Sequence, residues 1–297
     1  MELSRVQFDV LVFLESQENQ AFTQRSLAGG TGLSVGTINK TMGQLKDLAL
    51  VKNNRLTPEG RQALEPYRVR RAVFLAAGFG SRMVPITLNT PKPLVRIKGV
   101  RIIDTLLDAV CAAGIEEIYL VRGYLGEQFD QLLYKYPRIQ FLENPIYNES
   151  NNISSAFCAR YYLKNAYVLE SDLILYNPRL VAKYQFATNY LGAATERTDD
   201  WCFEVKNGCI SRLKIGGKNC FQMFGISYWS AEDGAKMAEH ILQVFESPGG
   251  RERYWDEVAL GYFSKEYRVE VRECSFEDIA EVDTFRELKK LDPGYRG

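Results

Sequence analysis

A run over residues 75–94 joins glycines to two cations: Leu75-Ala76-Ala77-Gly78-Phe79-Gly80-Ser81-Arg82-Met83, then Pro91-Lys92-Pro93-Leu94. Glycines that follow an apolar strand let the backbone approach a ligand closely and turn successive N–H groups toward an anion. Arg82 and Lys92 add charges that can follow phosphate oxygens toward a transition state. The spacing is neither G-x-x-x-x-G-K-S/T nor the dinucleotide pattern G-x-G-x-x-G, whose third glycine would fall at Met83. A structural turn explains Gly78 and Gly80 but leaves Arg82 and Pro-Lys-Pro without a role. Asp172 ends the apolar run Ala166-Tyr167-Val168-Leu169, where open α/β sheets present ligands, and a carboxylate there can hold Mg2+ against phosphate oxygens. The second carboxylate is expected from Glu281 and Asp283, which share one side of an extended segment, although Asp283 could also cap the last helix.

Other chemistries are excluded. His240 is the one histidine, so a Ser-His-Asp or multi-histidine metal site has no material. It follows Met237 and precedes Ile241 and Val244 on one helical face and reads as a core-edge residue. The six cysteines show no C-x-x-C spacing, which argues for reduced thiols over zinc or a redox pair.

The elements that must position these groups follow from pattern. The 297 residues carry 37 Lys/Arg and 37 Asp/Glu, so neither a basic nucleic-acid coat nor an acidic tail is expected. No apolar run reaches the ~20 residues of a membrane helix, and Met1-Glu2-Leu3-Ser4-Arg5 lacks signal-peptide grammar, so a cytoplasmic location is expected. A seam near 67–71 divides the chain into expected domains 1–68 and 69–297. Before it, the spacing predicts helices over Val6–Leu14, from Thr23, and after Ser34, then a hairpin around Asn53-Asn54 and a helix opened by Thr57-Pro58. After it, strands at 72–75, 118–121, 139–142 and 166–169 alternate with helices near 102–110, 125–135 and 152–163. That predicts an α/β, Rossmann-like fold with a mainly parallel mixed sheet. A hairpin turning at Asn207-Gly208, a strand at 268–271 and a helix from Asp283 complete the chain.

Two resemblances add to this reading. The order of three helices, hairpin and helix, with Leu56-Thr57-Pro58-Glu59-Gly60-Arg61, resembles the winged helix-turn-helix domains of bacterial regulators. It implies DNA or protein contact, with a homodimer as the usual form and Thr37, Asn39, Lys40, Thr41 and Gln44 on the reading helix. Eight Lys/Arg against seven Asp/Glu in residues 1–68 predict weak DNA affinity for a monomer.

The second part resembles the nucleotidyltransferases, and residues 72–297 are similar to the bacterial CTP:phosphocholine cytidylyltransferases. The likeness rests on the glycine run, Asn151-Asn152-Ile153-Ser154-Ser155, Asp200-Trp201-Cys202-Phe203, Gly225-Ile226-Ser227-Tyr228-Trp229, Tyr254-Trp255-Asp256 and Glu281-Val282-Asp283. It implies Mg2+-dependent cytidylyl transfer from CTP to phosphocholine, giving CDP-choline and pyrophosphate. Leu75 to Gly78, Gly80, Ser81, Arg82, Lys92, Asn151 and Asn152 would meet the nucleotide. Arg82, Lys92, Asp172 and Asp283 would be catalytic, and Asp172, Glu281 and Asp283 would hold the metal. Trp201, Tyr254, Trp255 and Asp256 would receive choline, since a quaternary ammonium is recognised by aromatic faces and a nearby carboxylate. Two alternatives stay open: a sugar-1-phosphate nucleotidyltransferase, and a transcription regulator that senses a nucleotide or CDP-choline.

Overall fold

The computed structural model describes residues 2–17 and 22–295. The chain divides into two compact units, Met1–Arg68 with Tyr184–Phe186, and Val69–Lys183 with Ala187–Gly297.

The first unit follows its local signals. Helices α1 (Arg5–Ser16), α2 (Gln24–Thr31) and α3 (Val35–Asp47) start at Ser4, Thr23 and Ser34, each of whose side chains accepts a backbone N–H of the first turn. The hairpin of β1 (Val51–Lys52) and β2 (Arg55–Leu56) turns through Asn53 and Asn54, both at positive φ, as a two-residue turn of this kind requires. Thr57 caps α4 (Pro58–Leu64), whose first position is proline, where no N–H is needed. Phe8, Leu11, Leu27, Ile38 and Leu45 form the core together with Tyr184. Inclusion of 184–186 is announced by no local pattern. Thr41 also departs from expectation: it is buried, and α3 exposes Asn39, Lys40 and Gln44 instead.

The second unit runs β3 (Arg71–Leu75), a small hairpin of β4 (Arg96–Ile97) and β5 (Val100–Arg101), α5 (Ile102–Ala112), β6 (Glu117–Arg122), β7 (Ile139–Glu143), α6 (Ile153–Ala159), β8 (Ala166–Glu170) and β9 (Leu173–Leu175). Then come β10 (Asn189–Lys206), β11 (Cys209–Trp229), α7 (Ala231–Glu246), β12 (Glu270–Cys274), β13 (Ile279–Glu281) and α8 (Phe285–Leu291). Among the described residues, seven strands form the main sheet in the order β10-β12-β11-β8-β3-β6-β7. β3 pairs in parallel with β6 and β8, and β6 with β7, whereas β11 joins β8 antiparallel. The central strands β3, β6 and β8 are apolar between their ends because both faces are covered. In β3, Ala72 and Phe74 enter one core while Val73 and Leu75 enter the other. The fold is the expected mixed, mainly parallel α/β sheet.

Several boundaries differ for physical reasons. Residues 126–134 make 3-10 turns after Leu125, which sits at positive φ. The helix expected over 152–163 ends at Ala159 and continues as a tighter turn. The Asn207-Gly208 hairpin is there, but its strands run 18 and 21 residues, their length hidden by polar residues and by glycines 216 and 217. Asp283 does not cap α8; Thr284 does, reciprocated by Glu287.

Leu120 lies at the middle of β6 at 0% exposure. Leu120→Ala should lower unfolding free energy by roughly 2–5 kcal/mol, measured by urea denaturation, without abolishing the fold.

Candidate active site

The site forms where β3 and β8 end side by side. The Ser171 hydroxyl donates to the Leu75 carbonyl at 2.8 Å, pinning the end of β8 beneath the start of the glycine run. Ala76 N–H donates to the Val121 carbonyl and the Ala77 carbonyl accepts from Tyr124 N–H, which fixes the Ala76-Ala77 backbone against the end of β6. Gly80 is in the left-handed region at φ +68°, and a Cβ there would stand 3.0 Å from Lys92 Cβ. The loop therefore needs glycine both for its turn and for room beside the lysine.

Lys92 is the centre of charge. Its ammonium donates to Asp172 Oδ2 at 2.7 Å and to Asp283 Oδ1 at 2.8 Å, and Arg82 donates to the same Asp283 oxygen at 2.9 Å. The lysine side chain is only 9% exposed. Burial works to lower its pKa, but Asp172 and Asp283 outweigh burial and hold the ammonium above its ordinary value. Antiparallel pairing of β13 with β9 sets Glu281 opposite Leu173, and Val282 N–H donates to the Asp172 carbonyl, so the carboxylates of two distant segments meet.

One cavity of about 640 Å³ joins these groups. Leu75, Ala76, Ala77, Gly78, Gly80, Ser81, Arg82, Lys92, Asn151, Asn152, Asp172, Trp201, Tyr254, Asp256, Glu281 and Asp283 all line it. The exception is Trp255. It is 1% exposed and packed on Tyr190 and Trp229, so the expectation that it meets a ligand is corrected: its ring is a core anchor. Trp201 and Tyr254 remain as an edge-to-face pair, ring centres 5.4 Å apart.

Sequence reasoning passed over Glu170, which lines the cavity and is half-buried. Its spacing of two from Asp172 was the available signal, the same alternation that links Glu281 to Asp283. Glu170 also stands beside the expected metal set. Oxygens of Glu170, Asp172 and Glu281 lie within 4.8 Å of one another, whereas one oxygen of Asp283 is taken by both Lys92 and Arg82. Asp172 Oδ1 is buried without a hydrogen-bond partner. Burial, then the surrounding carboxylates, push Glu170 and Glu281 well above the usual carboxylic range. An orphaned oxygen among crowded carboxyls fits a hard divalent cation, which Asp172, Glu281 and Glu170 can hold. Asp256, buried and hydrogen-bonded by the Tyr190 hydroxyl at 2.6 Å, is pushed up to about 7 by that burial, the tyrosine opposing the shift.

Comparison with known proteins places this geometry. Residues 72–224 match the MobA-like NTP transferase domain. The chain is 35% identical over 232 residues to a 2-aminoethylphosphonate cytidylyltransferase of Lancefieldella rimae, covering 75% of this chain and 92% of that protein. It is 29% identical to a choline-phosphate cytidylyltransferase of Streptococcus pneumoniae, over 75% of this chain and 96% of the relative. A solved structure of the CTP:phosphocholine cytidylyltransferase of Streptococcus pneumoniae superposes with a TM-score of 0.70 at 28% identity, covering 77% of this chain and all of that one.

Asp256 yields a test of the buried acid. With a folded pKa near 7 against an ordinary 3.8, the folded protein keeps a proton that the unfolded chain loses, so stability falls as pH rises between the two values. Wild type should therefore melt lower at about pH 8 than at about pH 5, with a shallower fall in Asp256→Asn, followed by scanning calorimetry. Equal slopes would place the titration elsewhere.

Proposed function

We propose, for a chain that belongs to the MobA-like NTP transferase family and is a cytidylyltransferase, that it transfers CMP from CTP to a small phosphate or phosphonate carrying a cationic amine. The observation that carries this reading is the Lys92 ammonium held between Asp172 and Asp283, with Arg82 beside it, in the cavity that also contains Trp201, Tyr254, Asp256 and Glu170. The glycine run receives the triphosphate, and the Ala76-Ala77 backbone faces the base. Lys92 and Arg82 exchange their carboxylate partners for phosphate oxygens as the nucleotide enters. The acceptor oxygen attacks the α-phosphorus in line and pyrophosphate leaves. That oxygen is already anionic near neutral pH, so the chain needs to supply position and charge, and no strong base. A divalent cation, for which we propose Mg2+ on Asp172 and Glu281 with Glu170 or Asp283 completing the set, would neutralise phosphate charge when bound.

Phosphocholine is the acceptor that the sequence resemblance implies, and Trp201 with Tyr254 supplies aromatic surface for it. A specific observation favours a second acceptor, 2-aminoethylphosphonate. Burial of Trp255 removes one aromatic wall, while Glu170 and Asp256 offer oxygens to which an N–H-bearing ammonium can donate and a quaternary one cannot. The first unit is assigned a contact with DNA or protein, as a homodimer, on its winged-helix resemblance.

Pyrophosphate release should be measured with each common NTP against phosphocholine, phosphoethanolamine, 2-aminoethylphosphonate and sugar-1-phosphates. The expected result is turnover with CTP and the amine-bearing acceptors only, reduced by at least about a hundredfold in Lys92→Ala. Turnover confined to sugar phosphates would overturn the acceptor class. For the first unit, a gel shift on the DNA upstream of its own coding sequence should weaken steeply with salt, and a shift insensitive to salt or sequence would remove DNA from its role.

A further inference from the structure

The paired asparagines Asn151-Asn152 line the cavity, and one side-chain amide atom of each bonds the backbone of a neighbouring loop. Asn151 N–H donates to the Arg251 carbonyl at 2.7 Å, and Asn151 Nδ2 donates to the Glu252 carbonyl at 3.3 Å. Asn152 Oδ1 accepts the Trp255 N–H at 2.9 Å, and Asn152 Nδ2 donates to Glu170 Oε1 at 3.4 Å. These partners fix the amide orientation of Asn152, because a backbone N–H requires the oxygen and a carboxylate requires the nitrogen.

Two simpler duties are already filled. Asn152 stands at the start of α6, yet its side chain makes no capping bond there; the Ser154 and Ser155 N–H groups go to the main-chain carbonyls of Asn151 and Asn152. Asn151 Oδ1 is also engaged locally, accepting the Asn152 N–H at 2.7 Å.

We propose that Asn152, supported by Asn151, is a positioning residue for the acceptor: it fixes the height of loop 251–256, and so of Tyr254 and Asp256, against Glu170. The bonded N–H belongs to Trp255, the residue between those two cavity-lining side chains. With the Trp255 ring anchored in the core on one side and its N–H held on the other, Tyr254 and Asp256 have little freedom to move. The assignment deepens the cytidylyl-transfer reading and rests on it for its kinetic consequence, and it moves the asparagine pair from the nucleotide to the acceptor.

The test uses the full chain in two measurements. In hydrogen exchange, Asn152→Ala should speed the amides of 250–258 by about tenfold, as expected for one partly buried hydrogen bond, while those of 75–83 keep their rate. Asn152→Asp, which can still accept from Trp255 but loses the amide that donates to Glu170, should return the loop only part of the way toward wild-type exchange. In steady-state kinetics with CTP and whichever amine acceptor wild type uses best, Asn152→Ala should raise the acceptor KM by about tenfold and leave the CTP KM within about twofold. Unchanged exchange at 250–258, equal acceleration in both segments, or a rise confined to the CTP KM would overturn the assignment. If wild type turns over no acceptor, the catalytic reading fails while the exchange measurement still decides the positioning role.

Discussion

A single ammonium shared by two carboxylates, Lys92 between Asp172 and Asp283, organises the second unit. A charge this deeply buried persists only where opposite charge and hydrogen bonds compensate its lost hydration. The compensation comes from two places far apart in the chain, the ends of β8 and β13, which the β9–β13 pairing brings together. Removing one partner would leave the others as uncompensated buried charge, so the site assembles as a set.

The same set is unbalanced. Glu170 and Glu281 add acid to Asp172 and Asp283, while only Lys92 and Arg82 bear positive charge in the immediate cluster. Burial and this crowding both push Glu170 and Glu281 above the usual carboxylic range. Under the proposed cytidylyl transfer, an entering nucleotide would draw Lys92 and Arg82 to its phosphates, and a divalent cation would give the carboxylates a partner of their own. Ion pairing thus holds the positive charge where the proposed cytidylyl transfer would need it.

Much of this was legible in the residues. Apolar strands ending at Leu75 and Leu169 located the ligand edge of the sheet, and Arg82 and Lys92 lacked any structural reason to follow two glycines. What escaped depended on packing between distant segments. Nothing local distinguishes Trp255 from Trp201, since both neighbour an acid; only the walls made by Tyr190 and Trp229 bury the former. Asn151 and Asn152 have the right chemistry for a base or a ribose, and their partners lie a hundred residues away in sequence, where periodicity gives no information. The strand lengths of β10 and β11 were hidden because polar, glycine-broken stretches carry no alternation to read.

Tyr184 and Phe186 belong to the core of the first unit although the chain reaches them only after four strands of the main sheet. During synthesis, therefore, the first sixty-eight residues emerge with their apolar centre still lacking a tyrosine that has yet to be translated. The earlier-made module cannot finish its interior before the ribosome has passed Phe186, by which point the second unit still lacks everything from β10 onward.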